Sequence, residues 1–149
     1  RCSFQTSFSE IEKPMKMKPK TFGPVIAFYD GSDTTRYAPD LVSDQSPHLP
    51  AGSPVDMLLA SLAYCIVKSV EWAAKEHNSG LLPFAVKVTG TKALDLPGRV
   101  EQMEVLIIGD LVADFAVAGQ IVKLAKSICT VSNTLNCAVT VATEPAPDA

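Results

Sequence analysis

Apolar residues along the chain gather into two blocks of helical character, with shorter alternating runs on either side. The first block opens at Ser53-Pro54-Val55-Asp56 and continues to about His77. Ser53 suits the N-cap, Pro54 loses nothing at the first helical position, and Asp56 completes a capping-box pattern. Asn78-Ser79-Gly80 supplies a left-handed stop. The first half of this helix is apolar nearly all round, which predicts burial on more than one face. Its second half, around Glu71, Lys75 and Glu76, is amphipathic. The second block, Asp114 to Ile128, places Phe115, Ala118, Ile121, Val122 and Ala125 on one apolar face.

Two-residue alternation marks the strands. Phe84, Val86 and Val88 alternate with Ala85, Lys87 and Thr89, predicting a half-exposed strand. Leu96-Pro97-Gly98-Arg99 turns the chain into a second strand, Val100 to Leu111, and Ala138 to Ala142 forms a short last one before the tail that begins at Glu144. Upstream, Val25 to Tyr29 is a compact strand, and Asp30-Gly31 signals a hairpin into Thr34 to Tyr37. Ser3 to Phe8 reads as a further short strand, Ser43 to Gly52 as a loop, and the lysine- and proline-rich stretch from Glu12 to Pro24 argues against a helix there. Strands, long helix, hairpin, helix, strand is an α+β order.

At 149 residues the chain is expected to be one domain over 1–149, able to bury roughly 70% of the surface its unfolded form exposes. The net charge of −3 argues against nucleic acid as a partner. The longest apolar run, Met57 to Val67, falls short of the about 20 residues a bilayer span needs, so it reads as core and not as a membrane anchor. No leader pattern opens the chain, and a start at Arg1 suggests trimming. Four cysteines are too few for a disulfide scaffold, which points to a reducing, cytoplasmic compartment. His48 and His77 lack metal-like spacing to any cysteine and no Cys-x-x-Cys occurs, so no metal is expected.

The chemistry concentrates in two cysteines. Cys65 closes Ser53-Pro-Val-Asp-Met-Leu-Leu-Ala-Ser-Leu-Ala-Tyr-Cys65, and Cys129 opens Cys129-Thr-Val-Ser-Asn-Thr-Leu135 at a helix end. From residues alone the two are a metal site, a redox couple or ordinary core residues. Cys2 and Cys137 read as incidental, Tyr64 and Trp72 as core or interface aromatics, and Lys13 to Lys20 as a solvated segment. An apolar helix disfavours a Cys65 thiolate unless a cation or oriented donor offsets desolvation. Arg36 is the one arginine between Arg1 and Arg99. Ser132 and Asn133 are candidate donors after Cys129. Lowering a thiol pKa from about 8.5 to about 5.5 raises its thiolate fraction at neutral pH roughly 30-fold, and the loss of nucleophilicity takes back about 20-fold. Oriented hydrogen bonds at the reacting atoms therefore matter more than charge alone.

The two cysteine motifs, in this order and followed by a valine-rich strand, resemble the OsmC/Ohr family of osmotically inducible and organic-hydroperoxide-resistance proteins. The resemblance covers about Arg36 to Val141, and residues 1–35 match poorly. It implies an intertwined α+β homodimer with long cysteine-bearing helices at its centre and active sites between subunits. It further implies a thiol peroxidase without metal or organic cofactor. Cys65 would attack an organic hydroperoxide, Cys129 would resolve it as a disulfide, and a dithiol or lipoylated protein would be the reductant. Arg36 falls near the family's activating arginine. Val55 stands where the family carries a glutamate, with acidic Asp56 beside it as a possible support, and Thr130 stands where proline usually follows the second cysteine. These two departures motivate a second expectation, a non-peroxidatic member that binds a small ligand at the dimer interface.

Overall fold

The computed structural model describes residues 20–49 and 52–148. Five strands, β1 (Thr21–Tyr29), β2 (Arg36–Ala38), β3 (Phe84–Lys92), β4 (Val100–Ile108) and β5 (Ala138–Glu144), form one sheet in the order β2-β1-β3-β4-β5. Three helices, α1 (Pro54–Glu76), α2 (Phe115–Ile128) and α3 (Thr130–Thr134), complete an α+β subunit.

The α1 start follows from its sequence. The Ser53 side chain accepts from the Asp56 N–H, and the Asp56 carboxylate accepts from the Ser53 N–H at 2.9 Å, closing the capping box. At the other end Asn78 takes φ +51, the left-handed stop. One side of α1, including Leu59, Leu62, Ala63, Ile66, Val70 and Ala73, is buried against Val25, Ala27, Val86, Val88 and Met103. By length and composition α1 could cross a membrane, but this buried side makes it the core helix. Leu59 reaches the sheet because glycines stand under it. A Cβ on Gly23 (φ +84) would lie 3.0 Å from Leu59, and one on Gly90 would lie 3.3 Å from it.

Several boundaries differ from the sequence expectation. β1 begins at Thr21, and its hairpin partner is Arg36–Ala38 in place of Thr34 to Tyr37. β4 stops at Ile108 because Gly109 adopts φ +108, and β5 takes in Glu144. The sheet is not wholly antiparallel. β5 pairs with β4 in parallel, since the chain leaves β4 and returns through α2 and α3 to run the same way beside it. Phe115, expected on the buried face of α2, is 90% exposed. It stands directly after the N-cap Asp114, before the helix settles onto the core through Ile121 and Ala125. The Ser3 to Phe8 strand and Cys2 lie outside the described residues, as does most of Lys13 to Lys20.

Candidate active site

Cys65 sits midway along α1 with Leu62, Ala63 and Ile66 buried around it, and is itself half-buried. Cys129 occupies the break between α2 and α3, where φ −66 and ψ 103 end one helix and begin the next. As N-cap of α3 its sulfur accepts from the Ser132 N–H at 3.5 Å, while the Ser132 hydroxyl donates to the Cys129 carbonyl at 3.1 Å and the Asn133 N–H to that carbonyl at 3.0 Å. The Asn133 side-chain amide donates back to the Ser127 carbonyl at 3.0 Å. These bonds hold the junction, so the Cys129 sulfur has a fixed direction. It is fully buried.

Folding brings these residues together from 64 positions apart: the Cys129 and Cys65 sulfurs lie 3.1 Å from each other. Both thiols are free. Disulfide formation would shorten the separation to about 2.05 Å, a step of roughly 1 Å between side chains already in contact. Burial pushes the Cys129 thiol above its ordinary range; the Ser132 N–H opposes this and the hydrogen bond to Cys65 adds to it.

The other expected site residues lie elsewhere. In the β1–β2 register Ala27 faces Tyr37 and Phe28 faces Arg36. Ala27 and Tyr37 belong to the core under α1, whereas Phe28 packs with Ile26, Ala85 and Ile108 on the reverse of the sheet. Arg36 is thus exposed on the face away from Cys65 in its own subunit. There its charge, after the hydrogen bonds from Ser32, helps hold the Asp30 carboxyl below its usual value. Asp56 is engaged at the cap, about 13 Å along the helix axis from Cys65. Neither joins the thiol pair within the subunit.

Tyr37 is the residue of β2 that turns toward α1, and the alternation of that short strand was the signal for it. Its hydroxyl is pushed up to about 12, first by burial and then by neighbouring Tyr64. Tyr64 also lies under the Lys68 ammonium, 5.8 Å from ring centre to nitrogen, and Lys68 pairs with Glu71 at 2.9 Å. Cys137, expected to be incidental, lines a groove of about 420 Å³ with Leu58, Arg99, Met103 and Leu135. Leu58 lies two turns, about 10 Å along the axis, before Cys65 on the same side of α1, and neither Cys65 nor Cys129 lines the groove. Among the described residues no cluster of three or more His, Cys, Asp or Glu side chains has metal-binding geometry.

A mixed sheet carrying a long apolar helix whose cysteine meets a second cysteine at a helix junction defines an α+β dithiol protein. Residues 45–144 match the OsmC-like protein family, and the chain belongs to that family. No curated protein matches its sequence. Its fold is similar to an OsmC-like protein from Mycoplasma pneumoniae, with TM-score 0.58 and 16% identity over 89% of this chain and 100% of the other. It is also similar to an OsmC-like hydroperoxide resistance protein from Jannaschia sp. CCS1, with TM-score 0.54 and 18% identity over 78% of this chain and 88% of that one. A third likeness is to an organic hydroperoxide resistance protein OsmC from Legionella pneumophila, with TM-score 0.52 and 12% identity over 85% and 98%.

Proposed function

We propose that this chain is a thiol peroxidase that reduces organic hydroperoxides through Cys65 and Cys129. The observation that carries the reading is the 3.1 Å approach of two free sulfurs, one half-buried and one fully buried. Family membership and the hydroperoxide resistance named for two structural relatives agree with it. Cys65, the sulfur nearer solvent, attacks the terminal oxygen of R–O–OH; the O–O bond breaks, leaving a sulfenic acid on Cys65 and an alcohol. Cys129 then displaces the hydroxyl as water and closes the disulfide. Together, two thiols and one hydroperoxide give one disulfide, one alcohol and one water. A dithiol, such as the lipoyl group of a lipoylated protein, returns the pair to thiols by exchange, which suits a reducing cytoplasm.

The working form is a homodimer in this reading. Met57, Tyr64 and Trp72 are 50%, 42% and 48% exposed along one side of α1, and a second copy would cover that stripe. Turnover of tert-butyl hydroperoxide with dihydrolipoamide as reductant tests the activity. The reading expects consumption that stops in Cys65→Ser; no consumption by the unaltered protein overturns it.

The groove beside Leu58 favours a second reading, a non-peroxidatic member that binds a small ligand. A stabilising ligand present at 100 times its dissociation constant would add about 2.7 kcal/mol, visible as a higher Tm. That result combined with inert thiols would select this reading.

A further inference from the structure

Arg36 faces away on the reverse of the sheet and the Arg99 guanidinium pairs with Asp95 at 3.0 Å, so among the described residues of one subunit no guanidinium hydrogen-bonds the Cys65 sulfur. Few other groups serve it. On α1, Tyr64, Lys68 and Glu71 flank Cys65, but the Lys68 ammonium is taken up by Glu71 at 2.9 Å and feels Asp33 as well. α3 carries no charged side chain, Lys123 and Lys126 of α2 are exposed, and β1 and β3 offer Val25, Ala27, Val86 and Val88. Tyr37 of β2 faces the same core. Among the described residues, the side-chain hydrogen-bond partner of the Cys65 sulfur is the Cys129 sulfur, at 3.1 Å.

We propose that the Cys129 S–H is the donor that serves the Cys65 thiolate, so that Cys129 acts twice, first holding the nucleophile's charge and then closing the disulfide. Burial decides which sulfur keeps the proton. Cys129 is fully buried and Cys65 only partly, and a charge is tolerated better on the sulfur nearer water. The fixed α2–α3 junction aims the donor. The proton is also chemically placed for the second step: when the Cys129 sulfur displaces the hydroxyl of the Cys65 sulfenic acid, the thiol proton leaves with that oxygen as water. In the first step the departing alkoxide takes its proton from solvent water. A pair sharing one proton in this way ionises in two separate steps that belong to the pair.

The inference rests on Cys65 being the nucleophile and is tested without hydroperoxide. In a chain carrying Cys2→Ser and Cys137→Ser, thiolate absorbance is followed against pH and iodoacetamide modification of Cys65 by peptide mass. Two ionisation steps more than about one pH unit apart are expected. Cys129→Ala, which removes the donor, should slow Cys65 modification at neutral pH about tenfold, and Cys129→Ser, which keeps an O–H donor, should stay within about threefold of the parent. Equal rates in all three proteins, or equal slowing by Ala and Ser, overturn the proposal. Should the Ala variant fail to fold, the titration of the parent decides, and a single shared step refutes the proposal. Absent hydroperoxide turnover with these rates intact would sink the peroxidase reading and leave this one standing.

Discussion

Cys129 is fully buried and Cys65 half-buried, so in the proposed reaction Cys65 is the sulfur more open to a hydroperoxide arriving from solvent. This difference predicts what each loss does. With Cys129→Ala the Cys65 sulfenic acid has no resolving partner and climbs to the sulfinic acid under excess hydroperoxide, read as a gain of two oxygens on the Cys65 peptide; the unaltered protein gives the disulfide. The groups whose pKa the fold raises also set an alkaline limit. Cys129 and Tyr37 are raised by burial, Tyr37 to about 12, and Lys68 is raised by its hydrogen bond to Glu71. Each keeps its proton in the folded state at a pH where the unfolded chain has released it. Their contributions are therefore intact below the unfolded values and are lost as pH rises from about 9 to about 12. Urea midpoints should fall through that window, and Tyr37→Phe should flatten its upper part. At this scale the cysteines were legible because their flanking motifs are local. The side of the sheet that Arg36 takes was not legible, because one step along a strand reverses the face, and only the pairing of Ala27 with Tyr37 shows which side turns inward in the subunit.

The helices were the clearest elements in the sequence, since their ends are written in neighbouring residues. Ser53, Pro54 and Asp56 form the capping box the pattern predicts. Removing the Ser53 hydroxyl in Ser53→Ala should lower stability by about 1 kcal/mol, measured by urea unfolding. Asp56→Ala should also destabilise, through the lost cap bonds, while leaving the rate of Cys65 modification unchanged. A loss of thiol reactivity at full stability would instead restore a direct role for that carboxylate. The direction of β5 was not legible, because alternation in Ala138–Ala142 is the same whether its partner runs parallel or antiparallel. The path through α2 and α3 decides it, and that path is a matter of packing over the whole sheet. The exposure of Phe115 was hidden for a related reason: helical periodicity places it on the apolar side, but it precedes the turn at which α2 meets the core.

For the molecule as a whole, the fold was legible, and the proposal of a dimer is argued from the surface of α1. The α1 side opposite the sheet keeps Met57, Tyr64 and Trp72 in solvent next to the thiol-bearing turn, and large exposed apolar patches mark interaction sites. If a second copy covers them, Trp72→Glu should shift sedimentation from dimer to monomer and make Tm lower and independent of protein concentration; an unchanged dimer would place the interface elsewhere. The account as a whole turns on two thiols that fold into contact in order to be oxidised together. Its most direct test is a single turnover: reduced protein mixed with one equivalent of tert-butyl hydroperoxide, quenched, digested without reduction and mapped by mass. The account predicts a Cys65–Cys129 disulfide in proportion to the hydroperoxide consumed, and both cysteines recovered as free thiols after prolonged exposure would contradict it.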